Sequence, residues 1–253
     1  MEKNVRGILL TLTLLTGPAL AAQDPYGDLG DFKVSKPEDK VDAPSVPPPS
    51  GAVVLFDGKS FDGWTHRDGK TAVKWKLLDL EKGGKVMQVT RATDIISKEK
   101  FDGNFKLHVE FRVPYEPKNS GQGRGNSGVY LQGRYEVQVL DSYGIAKPGE
   151  GDCGGIYGIA KPKVNACKAP SIWQTYDIEF KSPECKDGKK VKNGRITVLH
   201  NGVKIHDNVE ITKDVTTAGL ASDVCKPGPI LLQDHGNPVQ FRNIWLVKES
   251  SEK

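Results

Sequence analysis

The chain has 253 residues, and its 36 Lys and Arg against 32 Asp and Glu leave a formal charge of +4. Scattered lysines with a single cluster in "CKDGKKVKNGR" make a mild excess that gives no nucleic-acid surface; that cluster reads as a loop between strands. No stretch beyond the first residues approaches the continuous apolar length of a membrane span.

At the start, Lys3 and Arg6 precede the apolar "ILLTLTLL", and small residues follow at Ala19 and Ala21. This order reads as a secretory signal peptide over residues 1–21. The expected product is a periplasmic or extracellular chain beginning near Ala22, with a charge of about +3 and no cysteine placed to take a lipid. Residues 22–50 hold six Pro and six acidic residues with almost no apolar periodicity. They read as a linker or disordered arm.

From Gly51 onward, alternating apolar runs punctuated by Gly, Asn and Asp suggest one domain over residues 51–253. Predicted strands are "VVLF", "VKWKLL", "KVMQVT", "FKLHVEFRV", "GVYLQ", "YEVQVLD", "TYDIEFKS", "RITVLHNGVKIH", "PILLQDH" and "VQFRNIWLV", with Asn201-Gly202 as a hairpin turn. Ten or more strands and no helical stripe point to an all-β, two-sheet antiparallel sandwich of the jelly-roll kind. Gly123, Gly125 and Gly128 satisfy G-x-G-x-x-G, but a strand-forming "VYLQ" follows where a dinucleotide site needs a helix. Four cysteines, Cys153, Cys167, Cys185 and Cys225, form no C-x-x-C pair, which argues against zinc. In an exported chain they read as two disulfides, Cys153 with Cys167 and Cys185 with Cys225 being the favoured pairing.

In "YEVQVLD" the alternation sends Tyr135, Val137 and Val139 to one side and Glu136 and Gln138 to the other, about 6 to 7 Å apart on an exposed face. Asp141 falls out of phase. A bulge near Leu140 would turn it onto the polar side and avoid burying a lone carboxylate. A three-residue turn over Gln132, Gly133 and Arg134 keeps apolar with apolar, setting Leu131 beside Tyr135 and Tyr130 beside Glu136.

Together "LFDGKSFDGW", "GNSGVYLQGRYEVQVLDSYG", "WQTYDIEF", "NGVKIHD" and "LQDHGNPVQFRNIWL" resemble the 3-keto-disaccharide hydrolase domain family, over Val53 to Val247. That family is similar to the concanavalin A-like lectins and glucanases. In the related family 16 glycoside hydrolases a Glu-x-Asp-x-x-Glu strand is catalytic; Glu136, Gln138 and Asp141 stand at those positions here. The middle acid is lost and the last shortened, so a double displacement between two close carboxylates does not carry over. The resemblance implies cleavage of 3-keto-glycosides, in which one base removes the acidified C2 proton. A divalent metal ion or a hydrogen-bond donor would then steady the enolate.

Glu136 or Asp141 is the candidate base and His235 an acid or metal ligand, with Gln138, Tyr130, Arg134 and Asn126 binding a carbohydrate substrate. His108 and Glu110 form a weaker second pair, read as surface, and His66, His200 and His206 lack acidic partners. Trp64, Trp75, Trp173 and Trp245 read as core before sugar platform. The competing reading is a lectin-like binding module without catalysis.

Overall fold

The computed structural model describes residues 24–27, 29, 30, 32–80 and 83–249. The segment read as a signal peptide lies outside them. The strands begin with β1 (Val53–Phe56), β2 (Trp64–His66), β3 (Lys76–Asp79), β4 (Lys85–Gln88), β5 (Ile95–Phe101) and β6 (Phe105–Arg112). Next come β7 (Ser127–Leu131), β8 (Tyr135–Val139), β9 (Gln174–Lys181), β10 (Glu184–Lys186) and β11 (Lys189–Lys192). The last are β12 (Arg195–His200), β13 (Val203–Glu210), β14 (Gly228–Leu232) and β15 (Gln240–Lys248). No helix among the described residues is long and apolar enough to cross a membrane.

One sheet runs β13-β12-β9-β6-β15-β4-β3, with β1 also paired to β15; the second runs β2-β5-β14-β7-β8. All their pairings are antiparallel. The expected sandwich is therefore present. Period-two alternation builds it: Phe105, Leu107, Val109 and Phe111 of β6 share one buried core with Val129 and Leu131 of β7 and Val137 and Val139 of β8. Across the layers, the rings of Tyr135 and Phe180 lie 5.8 Å apart. The four tryptophans are buried, as expected. The Asn201-Gly202 turn joins β12 to β13 with φ of 52° and 79°, and β7 follows the glycine-rich loop where a dinucleotide fold would have a helix.

Several elements differ from expectation. Strand β5, "IISKEKF", carries three successive charged residues that hide its alternation, and β2, β10 and β11 are too short to show one. The arm read as a linker or disordered lies against the first sheet. Ala43 N–H donates to Trp173 O and Trp173 N–H to Asp42 Oδ1, both at 2.9 Å, while Tyr26 Oη donates to Pro238 O at 2.6 Å. It needs no core of its own because β6 offers it polar partners. Ser45 Oγ donates to Glu110 Oε1 at 2.5 Å, and Glu110 also accepts from Arg242 and Asn243. His108 and Glu110, read as surface, are thereby buried, and Asp177 accepts from His108 Nδ1 at 2.6 Å.

The Cys185–Cys225 disulfide forms, but Cys153 and Cys167 are free thiols. Their sulfurs flank His200 instead of bonding to each other, and the Cys153 sulfur lies 3.1 Å from Tyr176 Oη.

Candidate functional site

The β7–β8 hairpin carries the site. Its register pairs Leu131 with Tyr135, Tyr130 with Glu136 and Gly128 with Gln138, as the three-residue turn requires. Gln132 and Gly133 in that turn take φ of 50° and 68°, a conformation costly for a non-glycine residue. The Gln132 side chain offsets it by donating to Phe101 O at 3.1 Å and accepting from Arg134 at 2.9 Å.

Glu136 and Gln138 leave the core face as predicted, yet only 2% and 1% of their surface is exposed. Connections from elsewhere in the chain cover them. Thr216 Oγ1 accepts from Glu136 N at 3.2 Å, and Tyr157 N–H donates to Glu136 O at 3.1 Å. What remains is a cleft of about 190 Å³, lined by Glu136, Gln138, Asn126, Gln233, Tyr157 and His235 with Gln122, Thr217 and Ala218 at its edge.

Burial pushes the Glu136 carboxyl up to about 7, the Asp94 charge adding to the rise and a Tyr130 hydrogen bond opposing it. Tyr130 Oη accepts from Gln233 Nε2 at 3.0 Å, which leaves its own hydrogen for Glu136. Burial, with the neighbouring Glu136 charge, pushes the Tyr130 hydroxyl far up, so it stays a donor. Asp94 also anchors the cleft wall: it pairs with Arg67 at 2.5 Å and accepts from Asp234 N at 2.8 Å, at the turn that presents Gln233 and His235.

Two polar atoms of the cleft have no partner. Asn126 Nδ2 donates to Gln122 O at 2.7 Å, so Oδ1 is the free end, and Gln233 Oε1 is likewise unpaired. Buried acceptors without donors are costly in a folded chain, and these two are open to hydrogens from a ligand bearing hydroxyl or N–H groups. Gln138 is engaged, its Oε1 accepting from Val139 N at 3.0 Å and its Nε2 donating to Gln122 Oε1 at 3.1 Å.

Asp141 does not join this group. The alternation does break at Leu140, which enters the core beside Val139, but the carboxylate that emerges meets Arg124 at 3.1 Å and accepts from Tyr143 N at 3.3 Å. It is absent from the cleft lining. Burial raises this carboxyl while Arg124 lowers it. Arg134, expected at substrate, is buried elsewhere: it donates to Ser222 Oγ, Asp223 O and Lys226 O at 3.0, 2.7 and 2.6 Å. His235 stands exposed at the rim. Tyr157, Gln233, Thr217 and Asp94 were not singled out by sequence reasoning. Among the described residues no three His, Cys, Asp or Glu donors converge at the cleft. A larger groove of about 840 Å³ lies between the arm and residues 143–168; several lysines line it and Glu136 does not.

Residues 51–247 match a family described as the 3-keto-alpha-glucoside-1,2-lyase-like domain. The crystal structure of a candidate glycosyl hydrolase from Parabacteroides distasonis is similar at 36% identity, covering 79% of this chain and 85% of that one with a TM-score of 0.67. A second candidate glycosyl hydrolase from the same organism is similar in fold at 21% identity, covering 79% and 94%, with a TM-score of 0.54. No curated protein matches the chain.

Proposed function

The chain belongs to the 3-keto-alpha-glucoside-1,2-lyase-like domain family, and from that premise we propose that it is an exported, glycoside-acting enzyme. Its substrates in this reading are 3-keto-glycosides, 3-keto-disaccharides included. Glu136 is the base. A C3 ketone acidifies the C2 hydrogen, and a buried carboxyl poised near neutrality suits its removal.

Glu136 takes the C2 proton, and the bonding pair moves into the C2–C3 bond as the ketone becomes an enolate. Collapse of the enolate restores the ketone, forms C1=C2 and breaks the C1–O bond, whose pair leaves with the departing oxygen. His235, at the rim, protonates that oxygen. Tyr130 holds the Glu136 carboxyl in place through its hydroxyl, and the Tyr157 hydroxyl is the donor nearest in kind for the enolate oxygen. Asn126 Oδ1 and Gln233 Oε1 accept from the sugar hydroxyls. Water then adds its hydroxyl to C1 and gives its other proton to His235, while Glu136 returns its proton to C2; both groups are restored and the net reaction is hydrolysis.

The observation that supports this reading is the raised, enclosed Glu136 facing a cleft with two unpaired amide oxygens. The test is release of the aglycone from a chromogenic 3-keto-glucoside by the purified protein, run in D2O with the product examined for deuterium at C2. Turnover should fall about 10²- to 10⁴-fold in Glu136→Gln while calorimetric binding persists. Tight glycan binding by the wild-type protein without any release from a panel of 3-keto-glycosides overturns the enzyme reading in favour of a lectin-like module.

A further inference from the structure

Behind strand β8, on the core side, lies a second group of chemically active side chains. Cys153, Cys167 and His200 are all buried, and one donor atom from each lies within 4.8 Å of the other two. They come from three separate places: the turn after the β8 segment, the residue 161–172 segment and the last position of β12. That distance along the chain is why the absence of a C-x-x-C pair, which argued against zinc, does not decide the matter.

The histidine tautomer can be assigned from its neighbours. Gln174 Oε1 accepts from Lys168 N at 2.9 Å, so it is an acceptor toward His200 Nε2, 3.0 Å away. Nε2 therefore carries the hydrogen and Nδ1 presents a lone pair. Nδ1 is buried with no hydrogen-bond partner. Burial keeps the ring neutral, lowering its pKa to about 3. A histidine whose outer nitrogen is pinned by an amide oxygen and whose inner nitrogen is bare has the arrangement metal-binding histidines use.

A disulfide between the two cysteines would leave Nδ1 unsatisfied, whereas a cation would satisfy both sulfurs and the nitrogen together. We propose that Cys153, Cys167 and His200 Nδ1 form a structural site for one thiophilic closed-shell cation, Zn2+ or Cu+. Two thiolates and a neutral imidazole balance Zn2+ to zero net charge, as a dry interior demands. Metal–sulfur bonds of roughly 2.3 Å need only a small closing of the present separations. Three donors complete a Cu+ site; Zn2+ would take Tyr176 Oη, 3.1 Å from the Cys153 sulfur, as its fourth. Cys167 also lines the 840 Å³ groove, which gives an ion a route inward.

The site would brace the catalytic strand from behind. Tyr176 Oη donates to Gln138 O at 2.6 Å, and Gly154 N–H donates to the same carbonyl at 2.8 Å. Glu136 lies two residues away on that strand.

The test takes the full chain purified without chelator or reductant, and measures bound metal by mass spectrometry together with a non-reducing peptide digest. About one Zn or Cu per chain is expected. After anaerobic removal of the metal, Co2+ should restore one equivalent with a thiolate charge-transfer band. That band should vanish in Cys167→Ser and His200→Gln but persist in a Cys185→Ser/Cys225→Ser variant. Should the single variants fail to fold, the wild-type Co2+ titration decides alone. A Cys153–Cys167 disulfide peptide from metal-free protein overturns the proposal, and so do two free thiols that take up no Zn2+, Cu+ or Co2+.

Discussion

Gly128 has no side chain where Glu136 needs room: a Cβ at residue 128 would lie 2.5 Å from Glu136 Oε1 and 2.8 Å from the Tyr130 ring. The glycine sits on the same outward face of β7 as Tyr130, beside the pair Tyr130–Glu136 in the ladder. Gly128→Ala must therefore push the carboxyl away from its Tyr130 donor. We expect kcat/KM on a 3-keto-glycoside to fall about 100-fold, as misplacement of a reacting group by an ångström does. Gly123→Ala, where an added Cβ meets nothing within 4 Å, is the control and should keep its rate.

Titration of Glu136 links activity and stability with opposite signs. The basic form appears as pH rises through about 7, so the rate should climb over the same range. Because the folded pKa is raised above the unfolded one, the stability linked to holding the proton is full below about 4.5 and lost by the time pH passes 7. That loss is about 3 kcal/mol. Glu136→Gln escapes it. Urea denaturation should find the variant little changed at pH 5 and more stable than wild type by about 2–3 kcal/mol at pH 8.

The strand reading made the hairpin legible because side-chain alternation and turn length are local properties. Tyr130 beside Glu136 follows from the demand that Leu131 and Tyr135 stay together, and the phase break at Leu140 follows from the cost of burying Asp141 without a partner. What Asp141 then meets is not local: Arg124 reaches it from the glycine-rich loop and removes it from the cleft. For the same reason Glu136 looked solvated. The segments that enclose it, carrying Tyr157, Thr216 and Gln233, arrive through long connections whose course no periodicity records. Asp94 precedes β5, a strand whose run of charges concealed it.

Arg134 illustrates how a polar residue two positions from the proposed base can be purely structural. Its guanidinium is buried and gathers the carbonyls of Asp223 and Lys226 with the side chains of Gln132 and Ser222. Arg134→Ala leaves those acceptors unpaired in the interior, and we expect a loss of about 3 kcal/mol or more by chemical denaturation. Below its unfolding temperature, KM for the substrate should stay within about twofold of wild type. A selective rise in KM without loss of stability would instead return Arg134 to the substrate.

Cys185 and Cys225 join the β10–β11 hairpin to the loop that Arg134 grips, across a separation of 40 residues. Closing a loop of that length restricts the unfolded chain by about 4 kcal/mol in the chain-entropy account. The bond lies away from the cleft lining, so its loss should be felt in stability and not in chemistry. Cys185→Ser/Cys225→Ser should unfold at lower urea, short of wild type by about 2–4 kcal/mol, with kcat unchanged at temperatures where it is folded. The pair also shares an anchor with Arg134, because both act on residues 222–226. Adding Arg134→Ala to the serine variant should therefore cost less than the sum of the two changes, a coupling that a double-mutant cycle reads directly.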